Sequence, residues 1–237
     1  GEGRAVEQGR AVAAGGGGNR RQPERMGAMI GVIDYGMGNL GSVTNALRYL
    51  DVPCRVLDRP ETTASCRALI LPGVGAFGDG MANLERSGFV EPLREWMAAD
   101  RPLLGICLGL QMLCASSEES PGAAGVGVIP EAVVKFEASA ERKVPQIGWN
   151  RVRRAPGRDC PLFRGIPDGT YFYFVHSYYL PRADGWDAGR TAYGVEYASA
   201  VWRGRTAAVQ FHPEKSQQAG LRMLRNFTDW SEERNDG

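Results

Sequence analysis

A cysteine between two glycines, at the end of an apolar run, constrains this chain more than any other feature. Residues 102–106 read Pro-Leu-Leu-Gly-Ile, and Cys107 follows within a Gly-x-Cys-x-Gly segment that begins at Gly105 and ends at Gly109. This pattern is typical of a nucleophile elbow, a sharp turn from strand to helix that holds a nucleophile at the end of a sheet. Glycine leaves room for the tight turn and for close packing. We therefore expect a strand over residues 102–106, a helix over residues 108–118 and Cys107 at the turn between them.

The expected position would also activate the thiol. Backbone N–H groups at a helix N-terminus favour negative charge, which stabilises the thiolate form of Cys107. A free cysteine more often behaves as a small buried hydrophobic side chain. The elbow alone therefore favours a nucleophile only modestly over a structural cysteine.

A second segment supplies the partners that a cysteine nucleophile needs. The strand-like run at residues 207–211 leads to His212, and Glu214 follows two residues later. A nucleophilic cysteine requires a base, and the base requires a group that holds its ring and tautomer. Pro213 restricts the backbone between the two side chains. The chain has one other histidine, His176, which has no acidic neighbour and lies in an aromatic strand, so we interpret it as structural.

These residues resemble a known family. The segments at residues 105–111 and 211–214 are similar to the two signatures of class I, or triad, glutamine amidotransferases. Further segments resemble the glutaminase subunits of imidazole glycerol phosphate synthase, an enzyme of histidine biosynthesis, and they lie at residues 32–40, 72–77, 144–150 and 173–178.

The likeness runs in matching order from about Met29 to about Phe227. It implies a flavodoxin-like α/β fold, in which helices flank a mainly parallel sheet and the second half of the chain adds an antiparallel β portion. It also implies a glutaminase without metal or cofactor, which hydrolyses glutamine and passes ammonia to a separate (β/α)8 cyclase subunit in a heterodimer. One departure is Gln146, where histidine is often expected. We expect this departure to affect the subunit interface rather than the chemistry.

The resemblance implies roles for individual residues. The implied catalytic triad consists of Cys107, His212 and Glu214. The Leu108 amide is one oxyanion donor by the geometry of an elbow, and the likeness places the second donor at Gly73 and Val74. Contacts with glutamine are implied for Gly75, Gln111, Ser177 and Tyr178, and contacts with the cyclase for Asn39, Trp149 and Lys215. The residues alone leave alternatives open: a solvated helix position for Gln111, a strand end for Ser177 and Tyr178, and a cap on the core for Trp149.

Composition limits the remaining classes of function. A chain of 237 residues with 43% hydrophobic content suits one globular domain with a full core. The formal net charge of +1 gives no electrostatic argument for a nucleic-acid or membrane partner, and no apolar run approaches the ~20 residues of a membrane span. The five cysteines show no metal-type spacing. A reduced, cytoplasmic chain is the simplest expectation.

The first 25 residues differ from the rest of the chain, since they include seven glycines and five arginines and no aromatic residue. Such a segment cannot bury enough apolar surface to fold. We expect residues 1–25 to be a disordered extension or a cloning remnant, and residues 26–237 to form a single amidotransferase domain.

Hydrophobic spacing predicts strands at residues 28–34, 54–57, 68–71, 133–136, 171–175, 191–197 and 207–211, and helices at 42–50, around Leu93 and around Leu224.

A glycine-rich segment offers a competing interpretation. Residues 36–41 match Gly-x-Gly-x-x-Gly between a predicted strand and a predicted helix, and Asp58 follows the next strand-like run. This context is close to that of a nicotinamide or flavin enzyme. It leaves the cysteine, histidine and glutamate segments unexplained, so we regard it as a minor alternative. Two others are a different class I glutaminase, such as the vitamin B6 synthase subunit, and a regulatory module that binds glutamine without chemistry.

Overall fold

The computed structural model describes residues 29–140 and 142–233. The expected extension at residues 1–25 lies outside the described residues. Strands and helices alternate in the first half: β1 (Met29–Ile33), α1 (Leu40–Tyr49), β2 (Cys54–Leu57), β3 (Cys66–Gly73), α2 (Phe77–Arg86), α3 (Val90–Ala98), β4 (Leu103–Cys107) and α4 (Leu108–Leu113). Strands dominate the second half until a final helix: β5 (Cys114–Ser117), β6 (Ile129–Lys135), β7 (Gln146–Arg154), β8 (Thr170–His176), β9 (Tyr178–Tyr179), β10 (Asp187–Ala192), β11 (Glu196–Arg203), β12 (Thr206–Val209) and α5 (Gln217–Glu232).

Nine strands form one sheet in the order β2-β1-β3-β4-β12-β11-β10-β7-β8. The first five strands run parallel to one another, and the remaining four are added in antiparallel fashion. The order β2-β1-β3-β4 is that of flavodoxin-like sheets, in which ligands bind outside the carboxyl ends of the parallel strands. A second sheet has the order β5-β6-β9. The expected fold class, a mainly parallel sheet with an antiparallel portion, is confirmed.

Helices cover both faces of the parallel strands, because those strands are apolar on both sides. On one face, α1 and α5 contribute Leu47 and Phe227 to a core that includes Ile70 of β3. On the other face, α2 contributes Leu84 to a core that includes Leu71 of β3. Consecutive residues of β3 therefore enter opposite cores, as strand geometry requires. Within residues 29–140 and 142–233, no helix combines the length and apolar character of a membrane span.

Most predicted elements are present, and two predictions are wrong. The elbow helix ends at Leu113 rather than at residue 118, because residues 114–117 pair with β6 as strand β5. The strand predicted at residues 191–197 is the hairpin between β10 and β11, and its turn contains Gly194 at a φ of +73°. Both errors arise from strand pairing, which the local hydrophobic pattern does not report.

The elbow depends on close contact between two backbones. The first turn of α4 lies so near β3 that a Cβ on Gly109 would stand 2.0 Å from the carbonyl oxygen of Leu71. A Cβ on Gly105 would stand 2.9 Å from the Cβ of Ala208 on β12. Both glycines that flank the cysteine are therefore required for packing, as well as for the turn.

We expect Gly109→Ala to destabilise the protein by about 1–3 kcal/mol or more, because overpacking against a rigid backbone cannot relax easily. Gly41→Ala is the matched control, since Gly41 is also helical and a Cβ there would meet no atom within 4 Å. This control should leave stability unchanged or raise it by up to ~1 kcal/mol. Urea unfolding of both variants measures the difference, and equal effects would contradict the packing argument.

Candidate active site

The predicted strand, turn and helix around Cys107 are present. β4 ends at Cys107 and α4 begins at Leu108. Cys107 has a φ of +55° and a ψ of −108°, a conformation that side chains other than glycine rarely adopt. Such strain costs about 1–3 kcal/mol and persists only where the surrounding structure enforces it. Strain of this kind is typical of the nucleophile in a strand-to-helix elbow.

Neighbouring strands bring other predicted residues to the same edge of the sheet. Gly73, the last residue of β3, is the register partner of Cys107. On the other side of β4, strand β12 ends at Val209, and the chain continues to His212 and a short 3₁₀ turn at Pro213–Lys215. Carboxyl ends of parallel strands meet at one edge. Segments far apart in the sequence therefore converge on Cys107.

His212 and Glu214 form a buried ion pair. The Nδ1 atom of His212 lies 2.8 Å from Oε1 of Glu214, and both side chains are 1% exposed. Burial lowers the pKa of His212, but Cys107 and Glu214 outweigh it and raise this pKa to about 10. The Nε2 atom is buried without a hydrogen-bond partner among the described residues. Glu214 occupies Nδ1, so Nε2 is the ring atom left for proton transfer, and hydrogen bonds of catalytic groups are often long before substrate binds.

The segment expected to hold the oxyanion is tightly packed. Leu108 is the first residue of α4, so its N–H has no acceptor within the helix. A Cβ on Gly73 would stand 2.6 Å from the hydroxyl of Tyr35 and 2.8 Å from the Cβ of Leu108. Val74 is 37% exposed, and Gly75 has a φ of +100°. The structure thus places residues 73–75 directly beside the start of α4.

A cavity of about 260 Å³ opens beside Cys107. Its lining includes both histidines and all four residues expected to contact glutamine: Gly75, Gln111, Ser177 and Tyr178. Gln111 is 5% exposed, which excludes a solvated position, and its Nε2 donates to the Tyr178 carbonyl oxygen at 3.0 Å. A larger groove of about 520 Å³ is lined partly by α1 and α5, but no cysteine or histidine lines it.

Glu119 also lines the cavity, and sequence reasoning missed it. Its Oε2 accepts a hydrogen bond from the Phe77 N–H, at the start of α2, at 2.7 Å. We predicted a helix through residue 118, and in that context Glu119 resembles an ordinary surface residue. In the structure, strand β5 replaces the end of this helix and leads the chain to the cavity. A carboxylate here is suited to a substrate ammonium, because charge-assisted hydrogen bonds are the strong ones.

His176, at the end of β8, has a different environment from His212. Its Nδ1 lies 2.8 Å from the Tyr178 carbonyl oxygen, and its Nε2 lies 3.2 Å from the Tyr197 hydroxyl. Burial lowers the pKa of His176 to about 4. The ring is therefore neutral at pH 7, held by a carbonyl and a phenol rather than by a carboxylate. This arrangement supports the structural interpretation of His176.

The residues expected at the subunit interface are accessible to different extents. Lys215 is exposed in the 3₁₀ turn after His212, and Asn39 is half-buried at the start of α1. Trp149 is 46% exposed on β7, which excludes a cap on the core. Its ring packs edge-on against Tyr173 of β8, with centroids 6.1 Å apart. The three side chains are thus available to a partner, and their contact with one stays a prediction.

Gln146, which we expected to affect the interface, is buried instead. Alternation along β7 turns Ile147 and Trp149 outward and Gln146 inward. Gln146 is 3% exposed, and its side-chain amide lies 3.0 Å from the Tyr197 hydroxyl. The same hydroxyl contacts His176. Gln146 therefore belongs to the hydrogen-bonded network behind the cavity.

The glycine-rich loop that suggested dinucleotide binding packs against the end of β3. A Cβ on Gly38 would stand 3.6 Å from Cγ of Pro72, and a Cβ on Gly75 would stand 2.6 Å from Cε of Met37. The loop thus supports the segment at residues 73–75. Gly36 and Gly38 have φ values of +83° and +148°, so the turn of this loop accounts for two of its glycines.

The two protonation states of His176 lead to a prediction. Its pKa is about 4 in the folded protein and about 6.5 when unfolded. The stability from the neutral ring is therefore present above pH 6.5 and is lost as the pH falls toward 4, because the unfolded chain binds one more proton in that range. We expect the destabilisation caused by His176→Gln to be about 2 kcal/mol smaller at pH 5 than at pH 7 in urea unfolding. Equal destabilisation at both values would mean that the folded protein lets this ring charge freely.

Comparison with known proteins identifies the family. The model of the family described as "Glutamine amidotransferase class-I" matches residues 31–230. A crystal structure of a glutamine amidotransferase superposes with a TM-score of 0.67 at 20% identity, over 85% of this chain and 98% of that chain. At this identity the superposition shows the common fold.

Two relatives are each named imidazole glycerol phosphate synthase subunit HisH. The protein from Moorella thermoacetica is 52% identical over 199 residues, which cover 84% of this chain and 93% of the relative. The protein from Desulfitobacterium hafniense strain DSM 10664 is 46% identical over 206 residues, which cover 86% of this chain and 96% of the relative. The chain therefore belongs to the class-I glutamine amidotransferase family and, within it, to the HisH subunits of imidazole glycerol phosphate synthase.

Proposed function

We propose that this chain is the glutaminase subunit of an imidazole glycerol phosphate synthase. It hydrolyses glutamine to glutamate and ammonia, and a separate cyclase subunit uses the ammonia in histidine biosynthesis. The observation that carries the proposal is the strained cysteine at the elbow beside the buried His212–Glu214 pair, at a cavity that also holds Gln111. A module that only binds glutamine has no need of a strained thiol or a buried ion pair.

In the first half-reaction Cys107 is the nucleophile. Its thiolate attacks the side-chain amide carbon of glutamine, which forms a C–S bond and places the negative charge on the amide oxygen. The imidazolium of His212 then gives its Nε2 proton to the amide nitrogen, the C–N bond breaks and ammonia departs. The product on the protein is a glutamyl thioester.

In the second half-reaction water replaces the sulfur. His212, now neutral, takes a proton from water at Nε2 while the oxygen attacks the thioester carbon. The C–S bond breaks, and glutamate leaves behind a thiolate and a protonated His212. The carboxylate of Glu214 holds the Nδ1–H throughout and stabilises the imidazolium. The pKa of about 10 favours the charged ring that the first proton transfer requires.

Both tetrahedral intermediates carry an oxyanion. The Leu108 N–H supplies one donor, and the peptide between Gly73 and Val74 supplies the second. Removal of one such donor typically slows an enzyme ~10²–10³-fold. On the substrate side, Glu119 pairs with the α-ammonium of glutamine, and the backbone at residues 177–178 closes the cavity around its side chain.

Ammonia released into water at neutral pH would be protonated and lost, so the reaction needs an acceptor in contact with the subunit. We assign this role to a (β/α)8 cyclase, which docks on Asn39, Trp149 and Lys215 to form a heterodimer. Residues 26–237 act as one amidotransferase domain, and the cytoplasm is the compartment in which such a pathway enzyme works. Neither a nucleic acid nor a membrane has a part in this function.

We expect Cys107→Ser to abolish glutamine hydrolysis while the protein still folds and still binds the cyclase, because a serine hydroxyl at this position loses its proton far less readily than a thiol. Ammonia release in the presence of the cyclase and its ligand measures the loss. Cys160→Ser, a change at another buried cysteine, should retain activity. Near-normal hydrolysis by Cys107→Ser would refute the assignment.

Iodoacetamide should label Cys107 first, because burial raises the pKa of the other four thiols, at Cys54, Cys66, Cys114 and Cys160.

The exposed face of β7 generates a separate prediction. Trp149→Ala should weaken cyclase binding and reduce the stimulation of glutaminase activity by the liganded cyclase, since a large aromatic contact is lost from the interface. We expect a decrease in affinity of about tenfold or more. Tyr49→Ala is the control, because Tyr49 is 71% exposed at the far end of α1. Calorimetric titration with the cyclase distinguishes the two, and unchanged binding by Trp149→Ala would place the interface elsewhere.

A further inference from the structure

Cys107 has a second polar neighbour, to which no motif assigned a role. Gln210 lies directly after β12, is fully buried, and its Nε2 is 3.7 Å from Sγ of Cys107, within hydrogen-bonding distance for sulfur. In an extended chain, residues two apart point to the same side. Gln210 and His212 therefore both face the cysteine, while the ring of Phe211 between them stacks on Phe172.

The orientation of the Gln210 amide follows from its neighbours. The Tyr178 carbonyl oxygen can only accept, so the atom of Gln111 that lies 3.0 Å from it must be nitrogen. The same nitrogen lies 3.1 Å from the Gln210 amide, which must present oxygen to receive its second hydrogen. The remaining end of the Gln210 amide, the end that faces Sγ of Cys107, is therefore the donor.

We propose that Gln210 is a catalytic residue whose amide N–H stabilises the Cys107 thiolate and links it to the glutamine pocket through Gln111. A thiolate accepts hydrogen bonds well, whereas a thiol sulfur accepts them weakly. A buried donor that faces the sulfur therefore favours the ionised form, because a hydrogen bond to the charged state selects that state. The low dielectric of a fully buried site strengthens the effect.

The same chain of hydrogen bonds connects substrate contacts with the nucleophile. Gln111 and Tyr178 line the cavity, and Gln111 donates to both the Tyr178 carbonyl and Gln210. Gln210 is thus held in place by a residue of the pocket and in turn orients the sulfur toward that pocket. This inference rests on the proposed function only in taking Cys107 as the nucleophile.

The test uses the purified full chain and the variant Gln210→Met, which keeps the length of the side chain and removes the amide. The rate of alkylation of Cys107 by iodoacetamide is followed against pH and assigned by peptide mass spectrometry. We expect the midpoint of this profile to move about one pH unit or more to higher pH. With the cyclase and its ligand, the kcat for glutamine should fall about tenfold, a larger change than that in KM.

Asn226→Leu is the control, because Asn226 is a buried amide that bonds the Leu162 and Arg164 carbonyl oxygens and does not reach Cys107. It should leave the alkylation profile in place. A wild-type profile and kcat in Gln210→Met, or an equal shift in Asn226→Leu, would overturn the role of Gln210. Activity in Cys107→Ser would instead refute the proposed function, so the two failures are distinct.

A second variant keeps the inference testable if Gln210→Met does not fold, as judged by circular dichroism. Gln210→Leu also removes the N–H that faces the sulfur and places no new polar atom in the site. The alkylation midpoint should again move to higher pH, by an amount similar to that expected for Gln210→Met. An unchanged midpoint in Gln210→Leu would overturn the proposal.

Discussion

The contact between the start of α4 and the carbonyl of Leu71 is the constraint on which the site depends. A helix can approach β3 this closely only if Gly109 carries no side chain, since a Cβ there would stand 2.0 Å from the carbonyl oxygen. The approach forces a sharp turn at the end of β4, and the turn puts Cys107 into a strained backbone conformation. The strain persists because the cores on both faces of the sheet hold β3, β4 and α4 in place. The position of the nucleophile is therefore a consequence of backbone packing.

The two histidines show how neighbours decide the protonation of one residue type. Both are buried and both line the same cavity. His212 lies between Cys107 and Glu214, which raise its pKa to about 10 against the effect of burial. For His176, burial dominates and lowers the pKa to about 4. At neutral pH one ring carries a proton that it can donate, and the other cannot compete for it. The division of roles between them follows from burial and partner charge.

Local sequence predicted those parts of the site whose geometry is itself local. The spacing of Gly105, Cys107 and Gly109 predicts the elbow. The short separation of His212 and Glu214 in the sequence predicts the catalytic histidine and its carboxylate. Both features could therefore be located before any fold was known. The length of α4, the β10–β11 hairpin and the place of Glu119 depend on which strands pair, and local patterns do not contain that information. Gln210 falls between these cases. Its position two residues before His212 predicts a shared direction, but only the structure places Cys107 in front of it.

A single residue, Tyr173, connects the exposed face of the paired strands β7 and β8 with the catalytic histidine, His212. Tyr173 of β8 contacts Trp149 at its ring, while its backbone carbonyl accepts the N–H of His212 at 2.9 Å. Its N–H donates to the Ser216 hydroxyl at 3.0 Å, and that hydroxyl donates to the carbonyl oxygen of His212 at 2.6 Å. The backbone on both sides of the base is thus held by the strand that supports Trp149. A subunit docked on this face would press on a strand that shares hydrogen bonds with the turn at residues 212–216. Because of these hydrogen bonds, a shift of β8 would change the position of His212 relative to Cys107 without any contact between the partner and the cavity.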